Sequence, residues 1–472
     1  MKRIVILLTA IVLCLGTRAE IKYVFYFIGD GMGTNQVLAA EMYRAELEGG
    51  IGRVPTCMTQ FPVSGHLSTY SASNGITDSS AAGTCLATGK KTNNGTLGLG
   101  PKGDTLVTIA ETLRDRGWAI GIMTSVAIDH ATPGAFYGHD QKRSHYYEIG
   151  KQLIRSGFDF FGGAGFHYPQ GKHDDKADNL YNLAEEAGYS VVRSYDEAQR
   201  HLRDEKMIMI QPGDTGMVHS DCIGYAIDRH TENSTLKQIV STAIPFLERK
   251  QKPFFMMVEG GMIDYACHGD DGRTAMDEVW AMDEALEVAY RFYLRHPDET
   301  LIVVTADHET GGMALGNSDY TLNLQVLQHQ QCSAWVLSDR FSQLFADNNT
   351  PTWEETKAVW QESLGFWGPV SISEDEEAEL RAAYDKATRR EGEDLQTMYK
   401  DINQLGELGI AMINRKAKLG WTSHAHTAHA VPVFATGVGA ELFAGWHDNS
   451  QMVPLILEAL QQSAAKPRKC RR

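Results

Sequence analysis

Seven short, almost uninterrupted apolar runs punctuate the chain: YVFYFIG (23–29), WAIGIMTS (118–125), FDFFGGA (158–164), MIMIQ (207–211), PFFMMVEG (253–260), TLIVVTAD (300–307) and VPVFATG (431–437). Runs of this length, rich in β-branched and aromatic residues and lacking polar alternation, suit strands buried on both faces. Helical patterns separate them. In residues 104–116, Leu106, Ile109, Ala110 and Leu113 share one face, Asp104 is placed to cap, and Gly117 to close. Strands alternating with helices predict an α/β fold, a mostly parallel central sheet with helices on both faces. Function in such sheets collects at the carboxyl ends of the strands.

The rhythm breaks at 311–425, which is rich in Gln, Glu, Trp and helical patterns and holds the acidic run SEDEEAEL. This segment reads as a largely helical insertion into a domain formed by 20–310 and 426–465, with a basic tail, KPRKCRR, at 466–472. The first nineteen residues read as a signal peptide: Lys2 and Arg3, then IVILLTAIVLCLG, then Thr17-Arg18-Ala19 as a cleavage site. Export to the periplasm or beyond the cell is the expectation, with a lipoprotein anchor at Cys14 as the alternative. No later run has the length of a membrane span. Loss of Lys2, Arg3 and Arg18 would leave 41 basic residues against 60 acidic ones, a formal charge of −19. Such a surface repels nucleic acid, and a phosphate-binding site within it needs strong local positive charge, for which metal ions are a natural source. Cys57, Cys85, Cys222, Cys267, Cys332 and Cys470 are too scattered to define a pairing.

Several predicted strands end on the same kind of residue. Asp30 follows the first run, Glu259 lies at the end of the fifth with Asp264 shortly after it, Asp307 closes the sixth and His308 follows, and Asp129, His130 and Thr132 lie shortly after the second. One acid at a strand end is an ordinary turn former, but several at one sheet edge crowd negative charge and call for cations. Asp264 and His268 stand four apart, so a helix would put both on one face. His424, His426 and His429 precede the last run, and at least one is expected to complete a site. Carboxylate with imidazole suits zinc, and carboxylates with a hydroxyl such as Thr132 suit magnesium. In TDSSAAGTCLATG, Asp78 is placed to cap a helix that Ser79 opens and Gly89 ends, where backbone N–H groups attract phosphate. Arg143 is a candidate phosphate clamp, because one guanidinium can hold two phosphate oxygens.

Taken together, GDGMG, TDSSAAGTCLATG, HATPGAFYGHDQKR, VEGGMIDYACH, TADHETGG and HTAHAVPVFATG resemble the alkaline phosphatase family, in the family's order. The resemblance implies a metal-dependent phosphomonoesterase acting on small phosphate esters. Ser79 would become phosphorylated; Asp264, His268 and His426 would hold one zinc; Asp30, Asp307 and His308 a second; Asp30, Thr132 and Glu259 a magnesium; and Arg143 would clamp phosphate. The family is often dimeric, so a homodimer is one expected assembly. Three departures stand out. His130 and Tyr265, beside the metal ligands, replace the Asp and Lys of well-known bacterial members; Ser80 stands where Ala is usual; and 311–425 is longer than in compact members. A phosphodiesterase or sulfatase on the same scaffold is the nearest alternative, but SSAAG lacks the x-Pro-x-Arg that sulfatases need after the nucleophile, and related diesterases lack the third metal site. A non-catalytic metal- or phosphate-binding protein would have no use for Ser79.

Overall fold

The computed structural model describes residues 20–171, 177–211, 222–229, 233–317, 319–348 and 350–464. The expected signal peptide with Cys14, and the basic tail with Cys470, lie outside the described residues. Eight strands form in order: β1 (Tyr23–Gly29), β2 (Val63–Ser68), β3 (Ala119–Thr124), β4 (Phe160–Gly162), β5 (Tyr189–Val192), β6 (Lys206–Met209), β7 (Phe254–Gly260) and β8 (Thr300–Ala306). With the strands Val431–Gly437 and Gly445–Asp448 they make a ten-stranded sheet, ordered 445–448, β2, 431–437, β8, β1, β7, β3, β4, β6, β5. Every pairing is parallel except those of 431–437 with β2 and β8, so one strand runs against nine. The mostly parallel sheet predicted from the apolar runs is present. β3, β7 and β8 are buried at every residue, as a strand covered on both faces must be.

All seven apolar runs form strands. The helix predicted over 104–116 is shorter, Ile109–Asp115, and Asp104 does not cap it. Thr108 does, in a capping box with Glu111, because its hydroxyl takes the Glu111 N–H while the Glu111 carboxylate takes its own. Cys57, Cys85, Cys222, Cys267 and Cys332 form no disulfide among the described residues.

The segment 311–425 carries the helices Ala334–Asp347, Trp353–Leu364, Glu374–Thr388 and Gln404–Ala417, whose buried residues, Phe341, Trp360 and Ile413 among them, are continuous with the hydrophobic core of the sheet. Two short antiparallel pairs close its base: Ala314 and Leu315 face Gly420 and Leu419, and Glu309 and Thr310 face Thr427 and His426. It docks on the loop after the helix Met262–His268, where Asp271 accepts from Ala334 N (2.7 Å) and Gln330 Nε2 (2.8 Å). Among the described residues no helix is long and apolar enough to cross a membrane.

Candidate active site

Register brings the acids together. β8, β1, β7 and β3 are adjacent and parallel, with Gly29 level with Ala306 and Gly260, and Glu259 level with Thr124. Asp30 and Asp307, the next residues after Gly29 and Ala306, therefore leave the sheet side by side, with Glu259 one strand over. The strand Val431–Gly437 runs antiparallel to β8 and begins where β8 ends, so His426, five residues before Val431, arrives at the same edge. Asp264 and His268 come from the helix that follows β7.

Three groups of side chains converge there: Asp264, His268 and His426; Asp30, Asp307 and His308; and Asp30, His130 and Glu259. Within each, the candidate ligand atoms lie within 4.8 Å of one another, and all are buried. The hydrogen bonds on the far side of each imidazole show whether these groups suit a cation. His268 Nδ1 lies 2.6 Å from the His424 carbonyl and His426 Nδ1 lies 2.8 Å from the Thr77 carbonyl. A carbonyl can only accept, so the proton sits on Nδ1 and the Nε2 lone pair faces inward. His308 Nδ1 faces the Thr310 hydroxyl (3.3 Å), which already donates to Asp264, so the same tautomer follows. The inward Nε2 atoms meet carboxylates: His268 with Asp264 at 3.3 Å, and His308 with Asp30 and Asp307 at 3.3 Å each. Lone pairs facing anions repel unless a cation lies between them. Asp30 Oδ1, Asp307 Oδ2, Glu259 Oε1, His268 Nε2 and His426 Nε2 also have no hydrogen-bond partner despite full burial. Mixed oxygen and nitrogen donors with this orientation fit zinc.

The titration behaviour agrees. Burial, then the neighbouring Asp307 and Asp264, pushes the Asp30 carboxyl well above the usual range, and burial with Asp264 and Glu259 does the same for Asp307. Asp264 shows the alternative to a cation: burial opposes its ionisation, but the imidazole of His268, whose own affinity for a proton Asp264 raises, outweighs burial together with His426 and holds that carboxyl well below the usual range, so without an ion a proton on His268 takes the place between them. Burial keeps His308 neutral, its pKa well below normal.

His130 behaves differently from the other three. Its Nε2 accepts from Arg143 Nη2 at 3.0 Å, which leaves the proton on Nδ1, 3.9 Å from Glu259 Oε1. It faces Glu259 as a donor. Thr132 Oγ1 lies 3.3 Å from Asp30 Oδ2, and the Thr124 hydroxyl donates to the other oxygen of Glu259.

Ser79 opens the helix Ser79–Thr88, fully buried, with Oγ 3.2 Å from His308 Nε2. Asp78 caps this helix by accepting from Ala81 N (2.9 Å), and Gly89 ends it with a left-handed φ of 70°. The Ser80 hydroxyl turns away to donate to Asp78 Oδ2 (2.7 Å). Arg143 is held between His130 and Asp78 Oδ2 (3.5 Å).

Other candidates fall outside this cluster. Asp129 accepts from the His167 backbone N–H (2.9 Å). His424 contributes only its carbonyl to His268, and its imidazole pairs with Asp270 (3.2 Å). His429 is largely exposed beside Glu309. Tyr265 is buried and stacks face to face on Tyr399, with ring centres 3.6 Å apart. Tyr399, whose hydroxyl donates to Asp264 Oδ2 at 2.9 Å, is the residue that sequence reasoning missed. It comes from the segment 311–425 and belongs to no motif that marks it.

The family model "Alkaline phosphatase" matches residues 21–462. Alkaline phosphatase 4 of Bacillus subtilis is 29% identical over 455 residues, covering 94% of this chain and 90% of that protein. The crystal structure of a cold-active alkaline phosphatase from a psychrophilic Shewanella superposes with a TM-score of 0.77 at 26% identity, covering 93% of this chain and 99% of the other. The Thermus thermophilus alkaline phosphatase shares the fold with the same TM-score at 24% identity, over 96% and 93% of the two chains. Because the match runs through every strand of the sheet and every segment that carries a residue of the cluster, this chain belongs to the alkaline phosphatase family, a metal-dependent one.

Proposed function

We propose that the chain hydrolyses phosphate monoesters through a phosphoserine intermediate on Ser79, with two zinc ions and one magnesium. The observation that carries this reading is the contact of Ser79 Oγ with His308 Nε2 (3.2 Å), an atom that itself faces Asp30 and Asp307. A hydroxyl is a poor nucleophile at its ordinary pKa, and this one sits against a group built to hold a cation. Asp264, His268 and His426 would hold one zinc, Asp30, Asp307 and His308 the other, and Asp30, Thr132 and Glu259 the magnesium, with His130 alongside. When bound, the ions supply positive charge that lowers the pKa of the Ser79 hydroxyl and neutralises the phosphoryl oxygens.

The chain's own residues do the rest. Arg143 is already oriented by His130 and Asp78 before substrate arrives, so little side-chain entropy is lost in clamping two phosphoryl oxygens. Asp78 and its helix hold Ser79 still, and burial keeps bulk water off the hydroxyl. Ser79 Oγ forms a bond to phosphorus as the alcohol leaves. Water then cleaves the serine ester, returning the hydroxyl and releasing inorganic phosphate. The curated relatives' names, alkaline phosphatases, support the monoester chemistry. The signal-like start supports export of the mature chain.

Ser79→Ala should lower turnover of a monoester by roughly three orders of magnitude or more and abolish acid-stable phosphoenzyme, while zinc content stays near that of the parent. A phosphopeptide labelled on Ser80, or an active Ser79→Ala enzyme, would overturn the assignment. Comparing a monoester, a diester and a sulfate ester at equal metal loading separates this reading from its relatives on the same scaffold.

A further inference from the structure

The insertion reaches into the catalytic edge through Tyr399. Leu395 and Ile402 exchange two backbone hydrogen bonds (2.8 and 2.9 Å), and Thr397 Oγ1 accepts from Lys400 N (3.2 Å) and donates to Lys400 O (2.7 Å). The result is a tight hairpin with Tyr399 near its tip. Lys400 pins it to the helix Ala334–Asp347 by pairing with Asp339. The Tyr399 ring stacks on Tyr265 and meets His268 edge-on, centres 5.4 Å apart at 71°.

The two oxygens of Asp264 each accept from a different hydroxyl. Thr310, at the base of the sheet edge, donates to Oδ1, and Tyr399 donates to Oδ2 at 2.9 Å. The companion imidazoles are fixed from behind by carbonyls, His268 by that of His424 and His426 by that of Thr77. Asp264 has no such anchor of its own beyond these two hydroxyls and the helix that carries it. A carboxylate free to rotate about χ2 would lose rotamer freedom on ligating an ion; one already held does not.

We propose that Tyr399 is a positioning residue by which the insertion holds Asp264 in its ligating orientation, so that the insertion governs retention of the ion between Asp264, His268 and His426. The inference rests on the reading that these three residues hold zinc. The role differs from packing: the stack on Tyr265 uses the ring, whereas the hold on Asp264 uses only the hydroxyl. Tyr399→Phe separates the two.

The experiment loads parent, Tyr399→Phe and Tyr384→Phe with zinc, challenges each with a chromogenic chelator, and counts zinc equivalents released over time. Tyr384 donates its hydroxyl to the Pro351 carbonyl within the insertion and touches no ligand, so its variant reports general loosening. Tyr399→Phe should give up one equivalent about ten to a hundredfold more readily, with the remainder retained as in the parent. Its turnover at limiting zinc should fall and be restored by added zinc, while Tyr384→Phe tracks the parent throughout. Equal retention in parent and Tyr399→Phe would overturn the proposal, as would simultaneous loosening of every equivalent or loosening in Tyr384→Phe. A parent protein that takes up no zinc would instead overturn the metal reading itself.

Discussion

Replacing Gly31 with alanine should separate what the fold needs from what the site needs. Gly31 lies between Asp30 and the turn into the helix Thr34–Leu47, with φ +72°, a region that L residues enter at about 1–2 kcal/mol. A Cβ at Gly31 would also lie 2.9 Å from Asp264 Cα, 2.9 Å from Asp264 Oδ1 and 2.9 Å from Thr310 Oγ1. One of these is backbone and cannot swing aside, so overpacking adds about 1–3 kcal/mol, for a total of about 2–5 kcal/mol. Gly117 provides the control: its φ is +86°, and nothing lies within 4 Å of its would-be Cβ, so Gly117→Ala carries the backbone strain alone. Urea midpoints of both variants, compared at fixed metal content, give the difference. Gly31→Ala should lose at least about 1 kcal/mol more than Gly117→Ala. It should also take up zinc more weakly, because relieving the clash moves Asp264 away from His268 and His426 or disturbs the Gly31 N–H bond to Asp307 (3.2 Å). Equal losses in the two variants, with unchanged zinc uptake, would refute the claim that Gly31 is required for the close approach of the two ligand-bearing segments.

Two further outcomes are expected. His130→Asp places a carboxylate beside Glu259 and Arg143 where an imidazole now stands, so zinc-loaded enzyme should bind magnesium more tightly in a titration that follows bound metal; indistinguishable affinities would mean His130 has no influence on that ion. Glu278 is buried, and burial raises its pKa from 4.5 to about 7 against the pull of Arg229, with Asp277 and Asp228 adding to the rise. Between those values the folded chain keeps a proton that the unfolded chain releases, so stability falls as pH rises through the window, by about 3 kcal/mol at 1.36 kcal/mol per unit. Glu278→Gln keeps an acceptor for Ala226 N and cannot titrate, so the variant should gain on the parent by about that amount from pH 4.5 to 8 in urea midpoints, and a pH-independent difference would sink the argument.

The central strands were legible because burial on both faces writes an unbroken apolar run. The strands Val63–Ser68, Tyr189–Val192 and Gly445–Asp448 were not, because each is partly exposed and carries polar residues such as Ser64, His66 and His447. Site residues follow the same division. Asp78 with Ser79, and Asp264 with His268, are local: a cap and a helical spacing put them together before any tertiary contact forms. His426 could be singled out among its neighbours only through family likeness, since the choice depends on which imidazole the antiparallel strand delivers to the edge. Tyr399 was illegible for a stronger reason. Its hydroxyl reaches Asp264, 135 residues away in sequence, by way of a hairpin whose placement depends on helices packing against Asp270 and Asp271, and no local pattern encodes that.

The electrostatic logic of the site follows from its contents. Four carboxylates, of Asp30, Glu259, Asp264 and Asp307, face inward, with Arg143 as the fixed cation among them. Left so, the edge is a place from which a phosphate dianion is repelled, within a chain that is itself acidic. The raised pKa values of Asp30 and Asp307 are the same conflict expressed as protonation: without a cation, burial beside other acids favours the neutral form. Three divalent ions would contribute six positive charges against those four negative ones, and with Arg143 the edge becomes net cationic while every lone pair that faces inward gains a partner. Ion binding and phosphate binding would therefore be coupled, and by linkage the coupling is reciprocal: phosphate bound at the loaded edge would tighten the binding of its ions by the same free energy with which the ions tighten phosphate. The arrangement that makes the metal-free edge electrostatically unfavourable would make the loaded edge attract a phosphoryl dianion, because six charges on the ions and one on Arg143 outweigh the four carboxylates.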